Sequence, residues 1–423
     1  MADRTFLGFG FGAIQTGLML YEAQASGNFR RFIVSEVDQT LVEAVRRNGN
    51  SVSVNIARRG GIEGARLPGI EIHNPLDADG RERISQGIRE ADEMATAIPS
   101  VSLYSAGGDD SIAALLAENV DTQRDRILYA AENNNYAAEI LREEIAGRAE
   151  LRKLDRKRIE RLHIVNTVIG KMSGVIQGCE TMEGMGLEPM TPDSGRAILV
   201  EEFNRILISR LPRGVARGIT VFREKDDLLP FEEAKLYGHN AIHSLLGYLA
   251  AMKGYRVMSQ IGRDAALMEL GRRAFLEESG AALIKKHRGT GDELFTPEGF
   301  RDYALDLIER MVNPYLHDLV ARICRDPIRK LGYSDRLFGA MREALRQDIR
   351  PAVLAMGAFA GLVYLVEREG ADAVSAPADR EGLDDPAIAR ILEALWRREQ
   401  ELDRYADECI RLVQEARIAC NPS

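Results

Sequence analysis

The chain has 423 residues, 45% hydrophobic and 29% charged, with a net charge of −9. That length allows two domains with substantial cores, and the acidic balance, with no dense Lys/Arg block beside aromatics, argues against a nucleic-acid partner. Cys179, Cys324, Cys409 and Cys420 are far apart and form no CxxC pair, so neither a zinc knuckle nor a disulfide framework is expected.

With no signal peptide discernible, this cysteine usage fits a reducing cytoplasm. No run approaches the roughly 18 uninterrupted apolar residues that a membrane span needs. The opening "TFLGFGFGAIQTGLMLYEA" passes from a short apolar run through three glycines into helical periodicity. "RRFIVSEVDQTLVEAVRRNG" follows as a second strand, an acidic pair and a second helix. A strand–helix–strand unit of this length suits dinucleotide binding, because glycines let the backbone approach a pyrophosphate at a helix N-terminus.

Two registers fit the fingerprint, Gly8-x-Gly10-x-x-Ala13 and Gly10-x-Gly12-x-x-Gln15. Glu36, directly after the second strand, stands where a carboxylate would accept from ribose hydroxyls and repel a 2′-phosphate, so NAD is favoured over NADP. Further β-rich runs recur in "EMATAIPSVSL", "DRILYAAENNN" and "RLHIVNTVIGKM". The mixed-sign run Arg148 to His163 reads as an exposed helix face.

Near "LPRGVARGIT" the strand-like alternation fades and helical patterns take over. The expected layout is a Rossmann-like α/β cofactor domain over residues 1–210, then an all-α substrate domain over 211–423, with the site in the cleft between them. In "LFTPEGFRDYALDLIERMVN", Thr296 is a plausible N-cap and Pro297 a first helical residue. "DPIRKLGYSDRL" reads as a loop or short helix, and "PAVLAMGAFAGLVYLVE" as a buried helix.

The stretch "EEAKLYGHNAIHSLLGYL" puts a lysine, two histidines and an asparagine into an otherwise apolar helix. At ~100° per residue, Lys235, His239, His243 and Asn240 fall at about 0°, 40°, 80° and 140° and share one wedge. Ile242, Leu245, Leu246 and Leu249 supply the buried face. A solvated stripe is the plain alternative. A zinc-protease helix needs a Glu directly after the first His, and Asn240 stands there instead. No metal is expected.

Lys235, Asn240 and His243 reproduce the K-x4-N-x2-H pattern of the polyol-specific long-chain dehydrogenases, and the chain resembles the mannitol dehydrogenase family, with its mannitol-1-phosphate 5-dehydrogenases the nearer branch. "EESGAALIKKH", "NPYLHDLVARICRDPIRKL" and "SDRL" carry the same likeness. "FGFGAIQ" and "VSEVD" look like the family's glycine turn and ribose-binding acid. This likeness selects Gly10 and Gly12, with Ala13, Ile14 and Gln15 following, and aligns Glu36 with the family's aspartate. "AENN" places Asn133 on the family's strand-end asparagine.

The resemblance implies a metal-independent, NAD-dependent oxidoreductase of carbohydrate metabolism acting on a polyol or polyol phosphate. Lys235 would be the general base, Asn133 and Asn240 donors to the developing alkoxide, His243 the holder of a substrate hydroxyl, and Glu232 a proton relay. A free lysine near pKa ~10.4 is a poor base at neutral pH, so burial and a neighbouring cation must lower it. Arg329, Lys330 and Arg336 are candidates for a substrate phosphate, and His239 for a further substrate contact.

The departures are specific. Thr16 occupies the position of the family's arginine after the glycine turn, and in "VIGKM" Gly170 and Lys171 stand for an aspartate and an arginine. The stretch within residues 166–196 also differs from its family counterpart. The alternatives are an unphosphorylated polyol or sugar acid as substrate, of the mannitol 2-dehydrogenase or uronate reductase type, or a non-catalytic NAD or sugar sensor. The expected assembly is a monomer or small homo-oligomer.

Overall fold

A computed structural model describes residues 4–369, 380–397 and 402–420. The chain forms two compact units, Met1–Leu229 and Pro230–Ser423. The first holds twelve strands among the described residues: β1 (Arg4–Phe9), β2 (Phe29–Ser35), β3 (Val52–Arg58), β4 (Gly61–Leu67), β5 (Ile70–His73), β6 (Glu93–Thr96), β7 (Arg126–Ala130), β8 (Leu162–Val168), β9 (Ser173–Gln177), β10 (Arg196–Glu201), β11 (Leu207–Ser209) and β12 (Arg223–Lys225).

Eight of these form one sheet in the order β12-β11-β8-β7-β6-β1-β2-β5. Its centre, from β5 through β2, β1, β6 and β7 to β8, is parallel throughout. The order reverses at β1, the doubly wound topology of a Rossmann fold, in which a ligand binds outside the carboxyl ends of the strands. Side chains of β1 alternate between faces, as a strand requires. Leu7 and Phe9 join a core with the helices Ala78–Glu90, Ile112–Asn119 and Ala137–Leu151. Phe6 joins a second core on the opposite face.

That second core is covered by a small sheet, ordered β4-β3-β10-β9, which no sequence pattern singled out above. Val52, Val54 and Ile56 of β3, with Ile198 and Val200 of β10, present its apolar side. The unusual stretch within residues 166–196 has its place here, because it supplies β9 and leads into β10. Asn55 fastens it, accepting from the Glu188 amide at 2.9 Å and donating to the Glu188 carbonyl at 2.8 Å. β11 and β12 fall on either side of residue 210, where the sequence suggests a division. Both belong to the large sheet, so the compact unit runs on to Leu229.

The run Arg148–His163 is not one helix face. The helix ends at Leu151, a 3-10 turn covers Arg156–Ile159, and β8 starts at Leu162, because the apolar Leu162 and Ile164 are drawn into the sheet core.

In the second unit the described regular elements are helical. Leu229–Glu233, a π turn over Ala234–Asn240 and Ala241–Met252 follow one another without a break. Ile242, Leu245, Leu246 and Leu249 are buried, as their spacing predicts. The helix Ala352–Tyr364 packs closely against them through its small residues. A Cβ on Gly357 would lie 2.8 Å from Leu245 Cγ, and one on Gly361 3.1 Å from Tyr248 Cε2. No side chain of its N-cap residue Pro351 satisfies the first amides of that helix. The buried Glu278 does so, accepting from Val353 at 2.8 Å and Leu354 at 2.9 Å. Thr296 caps Pro297–Met311 as expected, accepting from Gly299 at 3.0 Å.

Candidate active site

Each unit carries its own group of site residues. In the first, β1 ends at Phe9 and Gly10 turns the chain at φ +84°, a conformation that favours glycine. A Cβ there would also lie 2.8 Å from the Ala97 carbonyl, so this glycine is required twice over. Gly12 has open space where its Cβ would be, leaving room for another molecule to approach the backbone. Gly8 lies within β1, where the Gln15 side chain covers it, so the turn uses Gly10 and Gly12.

Ala13 and Ile14 open the helix, and Gln15 begins a π turn that runs to Leu20. The Gln15 amide is buried, and both its oxygen and its nitrogen lack hydrogen-bond partners. Gly17, which the fingerprint does not include, lets this helix lie against the small sheet; a Cβ there would be 2.4 Å from Val200 Cγ1. Thr16 is buried, with its hydroxyl 3.4 Å from the Phe11 carbonyl. Glu36 follows β2 directly and is partly exposed; one of its oxygens accepts from the Asp38 amide at 2.9 Å. The residues fit a dinucleotide. Gly10 and Gly12 supply a bare backbone at a helix start, and Glu36 supplies a carboxylate at the end of the next strand.

At the end of β7, the acid and asparagine of "AENN" separate. Glu132 is buried, accepting from Thr96 at 2.9 Å, from the Ile98 amide at 3.0 Å and from the Tyr104 hydroxyl. Burial raises its pKa, with those hydrogen bonds opposing the shift. It fastens the segment after β6 to the end of β7. Asn133 is exposed.

In the second unit the helical wheel needs a change. The π turn Ala234–Asn240 uses i→i+5 hydrogen bonds, so residues five apart fall on successive turns. Lys235 and Asn240 are such a pair. They lie closer in direction than the ~140° of a regular α-helix. Lys235 is lowered from its ordinary value to about 8, by burial first and by the Arg336 guanidinium second, against the opposing pull of Glu232. Burial and a neighbouring cation are what the reading of Lys235 as a base requires, and Arg336 is that cation.

His239 is buried and held well below the usual histidine range by burial, by His243 and by the cations around it. The His239 and His243 rings lie 5.9 Å apart. His243 has its Nε2 3.3 Å from Asp318 Oδ2, and Asp318 also accepts from Arg322 Nε at 2.8 Å. Asp318 is a candidate site residue, by its place beside His243, that sequence reasoning passed over. Its signal lay in "NPYLHDLVARIC", where the acid follows a histidine and precedes an arginine by four residues.

The three candidate phosphate cations differ in setting. Arg329 is exposed and paired with Asp326 at 2.6 Å and Asp335 at 3.1 Å. Lys330 is buried, donates to the Ile323 carbonyl at 2.6 Å, and is lowered to about 8 by burial and by Arg336 and Arg329. Arg336 is largely buried, with its Nε 2.8 Å from Asp335. Its charge acts on Lys235, His239 and Lys330 alike. Among the three, Arg336 alone acts electrostatically on the wedge of Lys235.

Residues 227–410 match the mannitol dehydrogenase C-terminal domain. The mannitol-1-phosphate 5-dehydrogenase of Thermoanaerobacter pseudethanolicus is 27% identical over 357 residues, 84% of each chain. That of Halalkalibacterium halodurans is 35% identical over 142 residues, 34% of this chain and 36% of the relative. Among solved structures, D-sorbitol dehydrogenase in its substrate-free form superposes with a TM-score of 0.76 at 14% identity, covering 100% of this chain and 95% of the other. Pseudomonas fluorescens mannitol 2-dehydrogenase, in a ternary complex with NAD and D-mannitol, gives 0.64 at 14% identity, covering 98% and 91%. These two share the fold. The domain match and the curated relatives together support the mannitol dehydrogenase family for this chain, and with it an NAD-dependent oxidoreductase.

Proposed function

We propose that the protein is an NAD-dependent dehydrogenase that interconverts a polyol phosphate and its keto-sugar phosphate, with Lys235 as general base. The observation that carries this reading is the depressed pKa of Lys235, brought to about 8 beside Arg336 on the π turn that ends at Asn240. A base poised near the working pH combines a usable neutral fraction with enough proton affinity to act. NAD, when bound, supplies the hydride acceptor. Lys235 takes the alcohol proton, and Glu232, whose charge acts on it, passes that proton on. Asn240 donates to the oxygen as its charge grows, the stage at which a fixed dipole contributes most. Asn133 keeps the role its resemblance implies, a second amide donor. His243 holds a neighbouring hydroxyl.

A second reading has an observation of its own. Arg329 is committed to two aspartates, Lys330 to a backbone carbonyl and Arg336 to Asp335, so all three phosphate candidates already have partners. An unphosphorylated polyol would then be the substrate, with the charge of Arg336 serving Lys235 and the other buried bases around it. A sensor without catalysis accounts less well for a lysine held at about 8.

Measuring NADH oxidation with fructose 6-phosphate, fructose and a set of keto-acids separates these. A kcat/KM at least tenfold higher for the phosphate ester supports the leading reading. Higher efficiency with fructose moves the assignment to a free polyol, and no turnover with any of them overturns both.

A further inference from the structure

His243 and Asp318 face each other in a way that the reading above does not use. His243 Nε2 and Asp318 Oδ2 are both buried, and neither meets a hydrogen-bond partner of good geometry. They are 3.3 Å apart, with side chains 11% and 3% exposed. Two unsatisfied polar atoms buried against each other would be costly unless they pair, and a small rotation of the imidazole would align them. Active-site hydrogen bonds are often loose without substrate and tighten with it.

Asp318 is held from two sides. Its carbonyl accepts from the Met258 amide at 2.8 Å, beside the bridge between Val257 and Leu319 that ties this segment to the chain following the catalytic helix. Its other carboxylate oxygen accepts from Arg322 Nε at 2.8 Å, with Arg322 Nη2 at 2.7 Å. Burial would raise this carboxyl, but His243 and Arg322 outweigh it and hold the pKa below the ordinary range. The group is therefore a carboxylate, which only accepts.

We infer that Asp318 is a positioning residue for the dehydrogenase reaction: it fixes the His243 ring with its proton on Nε2, which leaves Nδ1 as the nitrogen that accepts from a substrate hydroxyl. In a neutral imidazole one nitrogen donates and the other accepts, and the partner of the first decides the role of the second. Arg322 in turn keeps the carboxylate ionised and aimed. The inference rests on the reading of His243 as a substrate contact, and it defines the kind of contact: the substrate hydroxyl is the donor. A substrate methylated at that hydroxyl would lose the interaction, whereas one with any free hydroxyl there keeps it.

The test has two arms. In protein labelled with 15N-histidine, the six histidines give separable ring signals, and His243 is assigned by its loss in His243→Asn. The expected result is Nε2–H for His243 in the parent, with that preference lost or reversed in Asp318→Asn, whose amide can present N–H instead of oxygen. The second arm is kinetic, with NADH and fructose 6-phosphate. Asp318→Asn should lower kcat/KM by about 10–100-fold, by analogy with the loss of a carboxylate that orients a metal-bound histidine. Introduced into His243→Ala, the same change should cost less than about two-fold, because its effect passes through the ring. Nδ1–H in the unmodified protein overturns the inference, and so does an equal loss in both backgrounds. The spectra need no turnover, so they decide the pairing even if no ketose is reduced or Asp318→Asn fails to fold.

Discussion

The two units prepare their candidate site residues by different means. In the first, the work falls mainly to the backbone: a left-handed Gly10, a bare Gly12 and the start of a helix. In the second it falls to side chains, Lys235, Asn240 and His243, whose value depends on spacing, burial and near neighbours. The contrast explains an asymmetry in the sequence. The family model covers residues 227–410, the side-chain half, while the departures Thr16, Gly170 and Lys171 all lie in the backbone half. A backbone cradle tolerates new side chains around it: Thr16 settles on the Phe11 carbonyl, and Lys171 donates to the Phe203 carbonyl at 2.9 Å. A proton-transfer group, the role proposed for Lys235, has no such tolerance.

The largest expected effect comes from breaking the side-chain half. Lys235→Ala should lower turnover by roughly 10²–10⁴-fold, the usual cost of losing a general base, while NADH titrates with unchanged affinity. In the parent, polyol oxidation should rise as the pH passes through about 8, since the neutral amine is the base, and ketone reduction should fall over the same interval. Arg336→Met removes a cation that lowers Lys235, so both midpoints should move to higher pH. A profile flat from pH 6 to 10 would remove Lys235 from the chemistry.

Asn240→Ala comes next, at roughly 2.7–4 kcal/mol in kcat/KM, comparable to removing one oxyanion donor elsewhere. If the wedge is only a solvated helix face, rates should stay within a few-fold of the parent. The same result for both Lys235 and Asn240 would reduce the contrast between the units to one of packing.

Smaller effects sharpen the backbone side. Gly10→Ala should destabilise the fold by about 1–3 kcal/mol, read from thermal unfolding, because a residue with a side chain is strained at that φ and meets the Ala97 carbonyl. Gly12→Ala should leave stability within about 0.5 kcal/mol. It should still weaken NAD binding, measured by fluorescence titration, since its Cβ would fill space that no protein atom uses. Equal NAD affinity in Gly12→Ala and parent would move the pyrophosphate elsewhere. Glu36→Ala should act least, narrowing a preference for NAD over NADP; equal efficiency of the two cofactors in the parent would dismiss Glu36 from that role.

Much of this was legible from residue patterns, and the omissions have physical reasons. Glycines, β-branched runs and the acid after β2 report a Rossmann unit because each is dictated locally. The small sheet was harder to see. β3 shows period-2 alternation, but β9 and β10 come from residues more than a hundred positions later, and long-range pairing leaves little local trace. Lys235, Asn240 and His243 stood out as polar groups in an apolar helix. Asp318 did not, because its meaning depends on a partner 75 positions earlier in the chain. The π turn was invisible to a wheel that assumes a fixed angle per residue.

That turn has a consequence for anyone comparing or redesigning such chains. It acts as one surplus residue in an otherwise regular rod, so the periodicity before Ala234 and after Asn240 is out of phase by about 100°. Alignment methods that penalise gaps inside helices would tend to smooth it away, and a helix-idealising design would delete it as a defect. Forcing the same seven residues into regular α geometry, with none removed, should yield a better helix by propensity while rotating Lys235 away from Asn240 and His243, back to about 140° and 80°. The surplus residue, accommodated as a π turn, therefore sets the phase between Lys235 and its companions Asn240 and His243.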